Sequence, residues 1–365
     1  MDPLAQHPKY QKIKDLGQGT FGSVLHARNR ETGEDVAIKL IALGEKFYQK
    51  YVDREIINHR QLLHPHVVAF KEVFVTPNYL CIVMEYVGGG NLQQWVEKHG
   101  RLPEWQARCF FQQVTLALHY IHKQLGIAHR DIKLGNILLN DRYQVPILKL
   151  CDFGYSKNML GSVPKTRVGT AAYISPEVAR TSGQAAYDTE KADVWSSAVT
   201  LYCMLAGCYP FSDANHQVHL RTIKSLTPKD VDIALSRLSG GVVSSECIHL
   251  LKGMLSIDPK QRYSLDQIMV DDWFKQFLPD LSKMTVAPER EIQSESHVLE
   301  VLAEAESLSE ARRAGTDEFA EEVMDDVIDA EEDQMAMGDG SVADGEHNGN
   351  ETGFFEDMTL RNTKP

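Results

Sequence analysis

Apolar residues gather in short runs through the first quarter of the chain, which reads mostly as strands. The runs at 10–16, 22–29, 35–41, 68–75 and 79–85 read as strands on this pattern. One helical stretch interrupts them at 47–63, with Tyr51, Ile56, Ile57 and Leu63 as its apolar positions. From residue 91 the chain is richer in helical periodicity. The segment 103–125 places Trp105, Cys109, Val114, Leu118 and Ile121 mostly three or four residues apart, and a later apolar helix runs through Trp195, Val199, Tyr202 and Leu205. The expectation is an α+β chain of two lobes. A small sheet-rich lobe with one helix covers about 10–85, a connector lies at 85–90, and a larger, mainly helical lobe covers about 91–274. The interior should close near Phe274 or Phe277. No internal repeat is visible.

Charge divides the chain again. The net charge is −13, but residues 281–365 hold 23 of the 51 acidic and 6 of the 38 basic residues. The tail therefore carries −17 and residues 1–280 carry +4. An acidic tail argues against nucleic acid as a partner, because a phosphate backbone needs positive surface. It suits a basic protein patch or the chain's own basic face, and it is also what a solubilising disordered extension looks like. No apolar run is long enough to span a bilayer, and the first residues lack the apolar centre of a secretory signal. The six cysteines are sparse and mostly lie beside apolar runs. Buried thiols in a reducing compartment fit them better than disulfides or a zinc site.

Candidate chemistry begins at Gly17-x-Gly19-x-x-Gly22-x-Val24, between two strand-like runs. Closely spaced glycines let backbone N–H groups approach phosphate oxygens. The spacing alone also fits a dinucleotide site or an unliganded hairpin, but a dinucleotide site wants a helix to start inside the glycines, and here the chain stays extended. Lys39 in Val36-Ala37-Ile38-Lys39 points to one face of a strand, where it could pair with phosphates. Such a lysine needs an anion, and Glu55 on the helical stretch is the candidate. Further on, HRDIKLGN at 129–136 supplies Asp131 to orient a hydroxyl and take its proton. Lys133 can offset charge on a transferring phosphoryl group, and Asn136 can offer a neutral oxygen to a metal. Asp152 in Cys151-Asp152-Phe153-Gly154 is a second hard oxygen ligand, as Mg²⁺ requires.

These motifs, in this order, resemble the eukaryotic protein kinases over about 10–274. The resemblance implies the bilobal protein kinase fold and Mg-ATP as phosphoryl donor. It implies an adenine slot lined by Leu16, Val24, Ala37, Met84, Glu85, Val87 and Leu138. It also implies that Glu177 pairs with Arg262, that Asp193 caps the catalytic loop, and that Lys133 with Thr170 marks a serine/threonine enzyme. Arg130 and Lys157 match positions that grip a phosphorylated residue of the activation segment, with Thr166 preferred over Ser162 as the acceptor. An upstream activating kinase would then be a partner.

The segments 54–68, 148–178 and 191–211 resemble the plant and green-algal SNF1-related kinases of subfamily two, the osmotic-stress and abscisic-acid kinases. Within a C-terminal extension at 275–316, the segment 293–305 resembles that subfamily's activation helix. Its stripe of Val298, Val301, Leu302 and Ala305 would dock on the helix carrying Glu55. Within the acidic, largely disordered tail expected at 317–365, the run 317–333 more loosely resembles a box that binds type 2C protein phosphatases. By resemblance the chain is a monomer acting on protein substrates in the cytoplasm and nucleus. Asn91 and Gly135 stand where glutamates are usual, which weakens any preference for arginine before the target residue. The competing readings are a binding scaffold that uses the kinase fold and an energy-sensing or calcium-type kinase with a coincidental tail.

Overall fold

The computed structural model describes residues 2–5, 7–19, 22–44, 49–140, 146–158, 171–181, 187–211, 216–241, 243–278 and 292–314. The small lobe is built on β1 (Tyr10–Gly19), β2 (Gly22–Asn29), β3 (Asp35–Ala42), β4 (Phe70–Val75) and β5 (Tyr79–Glu85), with α1 (Gln49–Arg60) between β3 and β4. These strands form one antiparallel sheet in the order β1-β2-β3-β5-β4. The two-residue period sorts its side chains cleanly. Leu25, Ala27, Val36, Ile38, Leu40, Cys81 and Val83 form one face, covered by Leu4 and Tyr10 from the start of the chain. The opposite face packs Ile41, Phe70, Leu80 and Ile82 under Val52 and Ile56 of α1. Gly22 opens β2 at φ +152°, and a Cβ added there would lie 1.8 Å from the carbonyl oxygen of Leu40, so only glycine allows this approach.

The large lobe contains α2 (Leu92–His99), α3 (Glu104–His119), a π-helical turn at Tyr120–Gln124, and the short strands β6 (Ile127–Ala128), β7 (Ile137–Asn140), β8 (Ile147–Leu150) and β9 (Lys157–Asn158). There follow α4 (Pro176–Arg180), α5 (Thr189–Ala206), α6 (His216–Ser225), α7 (Pro228–Ser236), α8 (Ser245–Met254), α9 (Leu265–Val270) and α10 (Asp272–Lys275). α5 is buried on nearly every side, which is why its sequence is apolar all round rather than striped. It is capped by Asp188, which accepts from the Lys191 N–H, and it ends on Gly207 in the left-handed conformation. One continuous core runs from α2 to α10 around it.

Three apolar residues lie elsewhere than the periodicity suggests. Leu63 is 47% exposed, beyond the last turn of α1. Trp105 is 61% exposed, because α3 turns Ala107, Phe110, Phe111, Val114 and Leu118 inward instead. Phe277 is 90% exposed, and fully buried Phe274 closes the interior. The C-terminal helix α11 spans Glu295–Ala314, two turns longer than the segment 293–305. Residues 317–365 lie outside the described residues. Among the described residues no helix is long and apolar enough to cross a membrane, and all six cysteines are free thiols.

Candidate active site

Lys39 sits on the cleft-facing side of β3, between Ile38 and Leu40, which face the other way. Its Nζ lies 2.6 Å from Glu55 Oε1 on α1 and 3.5 Å from Asp152 Oδ1. Lys39 and Glu55 are both buried. Burial by itself would lower the lysine's pKa, but the carboxylates of Glu55 and Asp152 outweigh it and raise the value above the ordinary lysine range. Lys39 is therefore a fixed cation at neutral pH. Burial likewise opposes charge on Asp152, and Lys39 reverses the balance, holding that carboxyl below its usual range.

The catalytic loop between β6 and β7 is held from beneath. Asp193, on buried α5, accepts hydrogen bonds from the backbone N–H of His129 and of Arg130, each at 2.8 Å, and from His122 Nε2 at 2.7 Å. Arg130 takes φ +70° and Asp152 φ +61°. Non-glycine residues in that region cost about 1–3 kcal/mol each and persist where surrounding contacts over-determine them. The Asp193 clamp does this for Arg130. Buried Asp131 then accepts from Asn136 Nδ2 at 2.8 Å and lies 3.0 Å from Lys133 Nζ. Asn136 Nδ2 also donates to the Asp131 carbonyl at 2.9 Å, so its amide oxygen is the atom with lone pairs to offer a cation. Asp152 and Asn136 thus supply two hard oxygen donors. Mg²⁺ carried in with phosphates and water takes that kind of set rather than an all-protein cage. Among the described residues no cluster of three or more His, Cys, Asp or Glu side chains forms such a cage.

The slot beside Lys39 follows from strand register. Val24 pairs with Lys39, and Ala37 pairs with both His26 and Met84. Ala37 and Val87 are buried, Val24, Met84, Glu85 and Leu138 half-buried, and Leu16 is 42% exposed at the rim. The Glu85 carboxylate is engaged by Lys149 at 2.9 Å and by the Ala69 N–H at 3.2 Å, so it braces the connector. Gly17, Gly19 and Gly22 lie at the tip of the β1–β2 hairpin, where Gly19 pairs with Gly22.

Histidine 59 is absent from the sequence reading and central in the structure. Phe153 is buried with its ring 5.1 Å from the His59 ring and 4.9 Å from the His129 ring, while His59 lies 5.9 Å from Phe70. This column connects α1 to the catalytic loop. His59 follows Glu55 by four residues, so both project from one face of α1. That spacing is the one signal the sequence offers. Burial pushes its pKa down to about 4, and the neutral ring donates from Nε2 to the Val68 carbonyl at 2.7 Å.

The remaining residues fall into separate groups. Arg262 grips Glu177 through two bonds of 2.6 and 2.8 Å, and its guanidinium lies over Trp195. Arg130 donates to the Tyr187 hydroxyl at 3.2 Å. Lys157 lies on β9, paired with Ala128, with its side chain outside the described residues. Thr166, Ser162 and Thr170 also lie outside them. Asn91 is the N-cap of α2, accepting from the Gln94 N–H while Gln94 returns a bond to its own N–H. A Cβ added at Gly135 would meet the side chains of Gln93 and Lys133.

Helix α11 lies against α1 and β4. Val298, Val301, Leu302 and Ala305 are buried in the same cluster as Val52 and Ile56. Polar contacts pin both ends. The Gln293 amide exchanges two bonds with the Val73 backbone, at 2.8 and 3.0 Å, and its carbonyl accepts from Arg60 at 2.9 Å. The buried Ser309 hydroxyl accepts from the Gly44 N–H at 2.9 Å, and Arg312 reaches the Pro77 carbonyl at 2.6 Å.

Comparison with known proteins agrees with this geometry. The family model for the protein kinase domain matches residues 10–274. Serine/threonine-protein kinase SRK2A of Physcomitrium patens is 42% identical over 313 residues, covering 84% of this chain and 87% of that one. Serine/threonine-protein kinase SRK2E of Arabidopsis thaliana is 43% identical over 306 residues, covering 81% and 82%. Serine/threonine-protein kinase SAPK9 of Oryza sativa subsp. japonica is 40% identical over 338 residues, covering 90% of both.

Proposed function

The chain belongs to the eukaryotic serine/threonine protein kinases, closely related to the plant SNF1-related kinases of subfamily two, and from that premise we propose that it relays osmotic or related abiotic stress by phosphorylating protein serines and threonines. Its reaction moves the γ-phosphoryl group of ATP to a protein hydroxyl. The P–O bond to ADP breaks, a new P–O bond forms at the hydroxyl oxygen, and the hydroxyl proton passes to Asp131. Asp152 and Asn136 would hold Mg²⁺, which would supply charge neutralisation for the phosphates. Lys39, kept cationic by Glu55, positions them. Lys133, 3.0 Å from Asp131, offsets charge where the phosphoryl group transfers. Positioning and fixed electrostatics supply most of the rate in this chemistry.

The observation that carries this reading is the buried Lys39–Glu55 pair with half-buried Asp152 beside it, at separations of 2.6 and 3.5 Å. Burying an ion pair beside a third charge is costly, and such clusters mark functional sites. Purified full-length protein with Mg-ATP and a serine/threonine peptide array should show transfer. Asp152→Ala should reduce turnover by about 100-fold or more. Undiminished transfer in that variant would overturn the metal assignment.

The same reading extends to regulation. An upstream kinase, or the protein itself, phosphorylates Thr166, and the phosphate is gripped by Arg130 and Lys157. A type 2C phosphatase engages the acidic run at 317–333, and the protein works in the cytoplasm and nucleus. Support comes from residue-by-residue resemblance and from the charge of the tail. Mapping phosphosites on protein purified from stressed and unstressed cells tests the Thr166 role.

A further inference from the structure

His26 and Tyr86 belong to neither the catalytic set nor the list of slot-lining residues, yet they stack almost ideally. Their ring centroids are 3.9 Å apart and the planes differ by 1°. His26 is 7% exposed. Its position follows from the pleat of β2. Leu25 and Ala27 face the core under Leu4, so Val24 and His26 face the cleft side together. Val24 lines the nucleotide slot, and His26 pairs with Ala37, which also lines it. Tyr86 lies in the connector between Glu85 and Val87. The stack therefore joins the strand returning from the glycine loop directly to the segment between the lobes.

No hydrogen bond from its ring nitrogens holds His26 there. Nε2 is 3.3 Å from Asp35 Oδ1, but off hydrogen-bond geometry, and Nδ1 has no partner. Asp35 is instead bonded by Arg28 at 2.9 Å. A buried imidazole with neither nitrogen well satisfied is unfavourable on its own account. What the site gains from this residue is a flat ring against Tyr86. Two parallel rings fix both the separation and the tilt of the elements that carry them, which an aliphatic contact would not.

We infer that His26 is a positioning residue for the nucleotide: by stacking on Tyr86 it fixes the roof of the slot relative to the connector and so sets the affinity for ATP. The inference rests on the kinase reading above, and it places the effect in nucleotide binding rather than in phosphoryl transfer.

Calorimetric titration of the full chain with Mg-ATP separates the two. Wild-type protein is measured first, and failure to take up ATP would overturn the kinase reading itself. Given binding, His26→Ala should weaken ATP affinity about fivefold, with a matching rise in the KM for ATP and kcat at saturating ATP within about twofold of wild type. His26→Phe keeps the ring and should restore affinity. Tyr86→Leu should reproduce the loss, while Tyr86→Phe should not, and this pair carries the test if His26→Ala folds poorly. Unchanged ATP affinity in both His26→Ala and Tyr86→Leu would overturn the inference and leave the kinase reading intact. Equal weakening in His26→Phe and His26→Ala would also overturn it, because the ring would then not be the cause.

Discussion

The two lobes bury their functional charges in different ways. In the large lobe, Asp193 projects from α5, a helix enclosed by a continuous core, and the Glu177–Arg262 pair is set into the same body. In the small lobe, Lys39 and Glu55 lie on the α1 side of a sheet whose two faces carry separate thin clusters. Each cluster is completed by residues from outside the family's matched span: Leu4 on one face, and Val298, Val301, Leu302 and Ala305 on the other. The catalytic loop is thus braced by the domain itself, whereas the lysine–glutamate pair lies beside a cluster completed by α11, outside the matched span.

The largest test of this contrast is in the large lobe. Arg262→Ala leaves Glu177 largely buried without its partner and should cost about 3–5 kcal/mol. Urea denaturation should show the whole domain losing stability. A loss confined to the small lobe would break the comparison. Leu302→Ala should cost about 2–5 kcal/mol within the cluster under α1. Hydrogen exchange should then speed up in α1 and β4 while α5 stays protected, and turnover should fall as Glu55 drifts from Lys39. Equal loosening of α5 would show that the lobes are not independent.

Acid should separate the lobes more gently. The folded pKa of His59 is about 4, against about 6.5 in an unfolded chain. Between those values the unfolded state binds a proton that the folded state excludes, so stability falls as pH drops. The effect for His59 is on the order of 2 kcal/mol between pH 7 and 5. His64 and His66, lowered by burial to about 3 and 4, act in the same sense. Asp193 behaves otherwise. Burial opposes its charge, but His122 and the His129 backbone and ring together outweigh this and lower its pKa, so its contribution survives until the pH falls below the ordinary carboxylate value. Denaturation curves at pH 7 and 5, with His59→Phe partly flattening the difference, check the assignment. The smallest effect belongs to Ser309→Ala, about 1 kcal/mol from the lost Gly44 bond, read as a small drop in Tm.

Much of this was legible in the chain because it rests on period and spacing. β2 and β5 have the bounds 22–29 and 79–85 read from their strand-like runs. Lys39 comes within 3.5 Å of Asp152, and Asn136 within 2.8 Å of Asp131, since each motif is local and the fold supplies the rest. What was hidden depends on contacts between distant segments. Trp105 reads as core by spacing, but the buried face of α3 is chosen by what packs against it. The last two turns of α11 bury Ser309, a polar residue that no hydrophobic stripe would single out. His59 looks like a polar helix residue until Phe153 and Val68 arrive beside it. The His26–Tyr86 stack needs the β2–β3–β5 register before the two residues come near each other.

The side-chain amide of Gln293 has one more implication. β4 is the outer strand of its sheet, and that amide occupies a donor and an acceptor of Val73, much as a neighbouring peptide group would. A chain cut before this residue loses more than a docking helix. It presents an open strand margin, which is a template for pairing with another molecule. Shortened forms of the protein should therefore self-associate as their concentration rises, and a fall in their specific activity would partly report that clustering rather than a slower catalytic step.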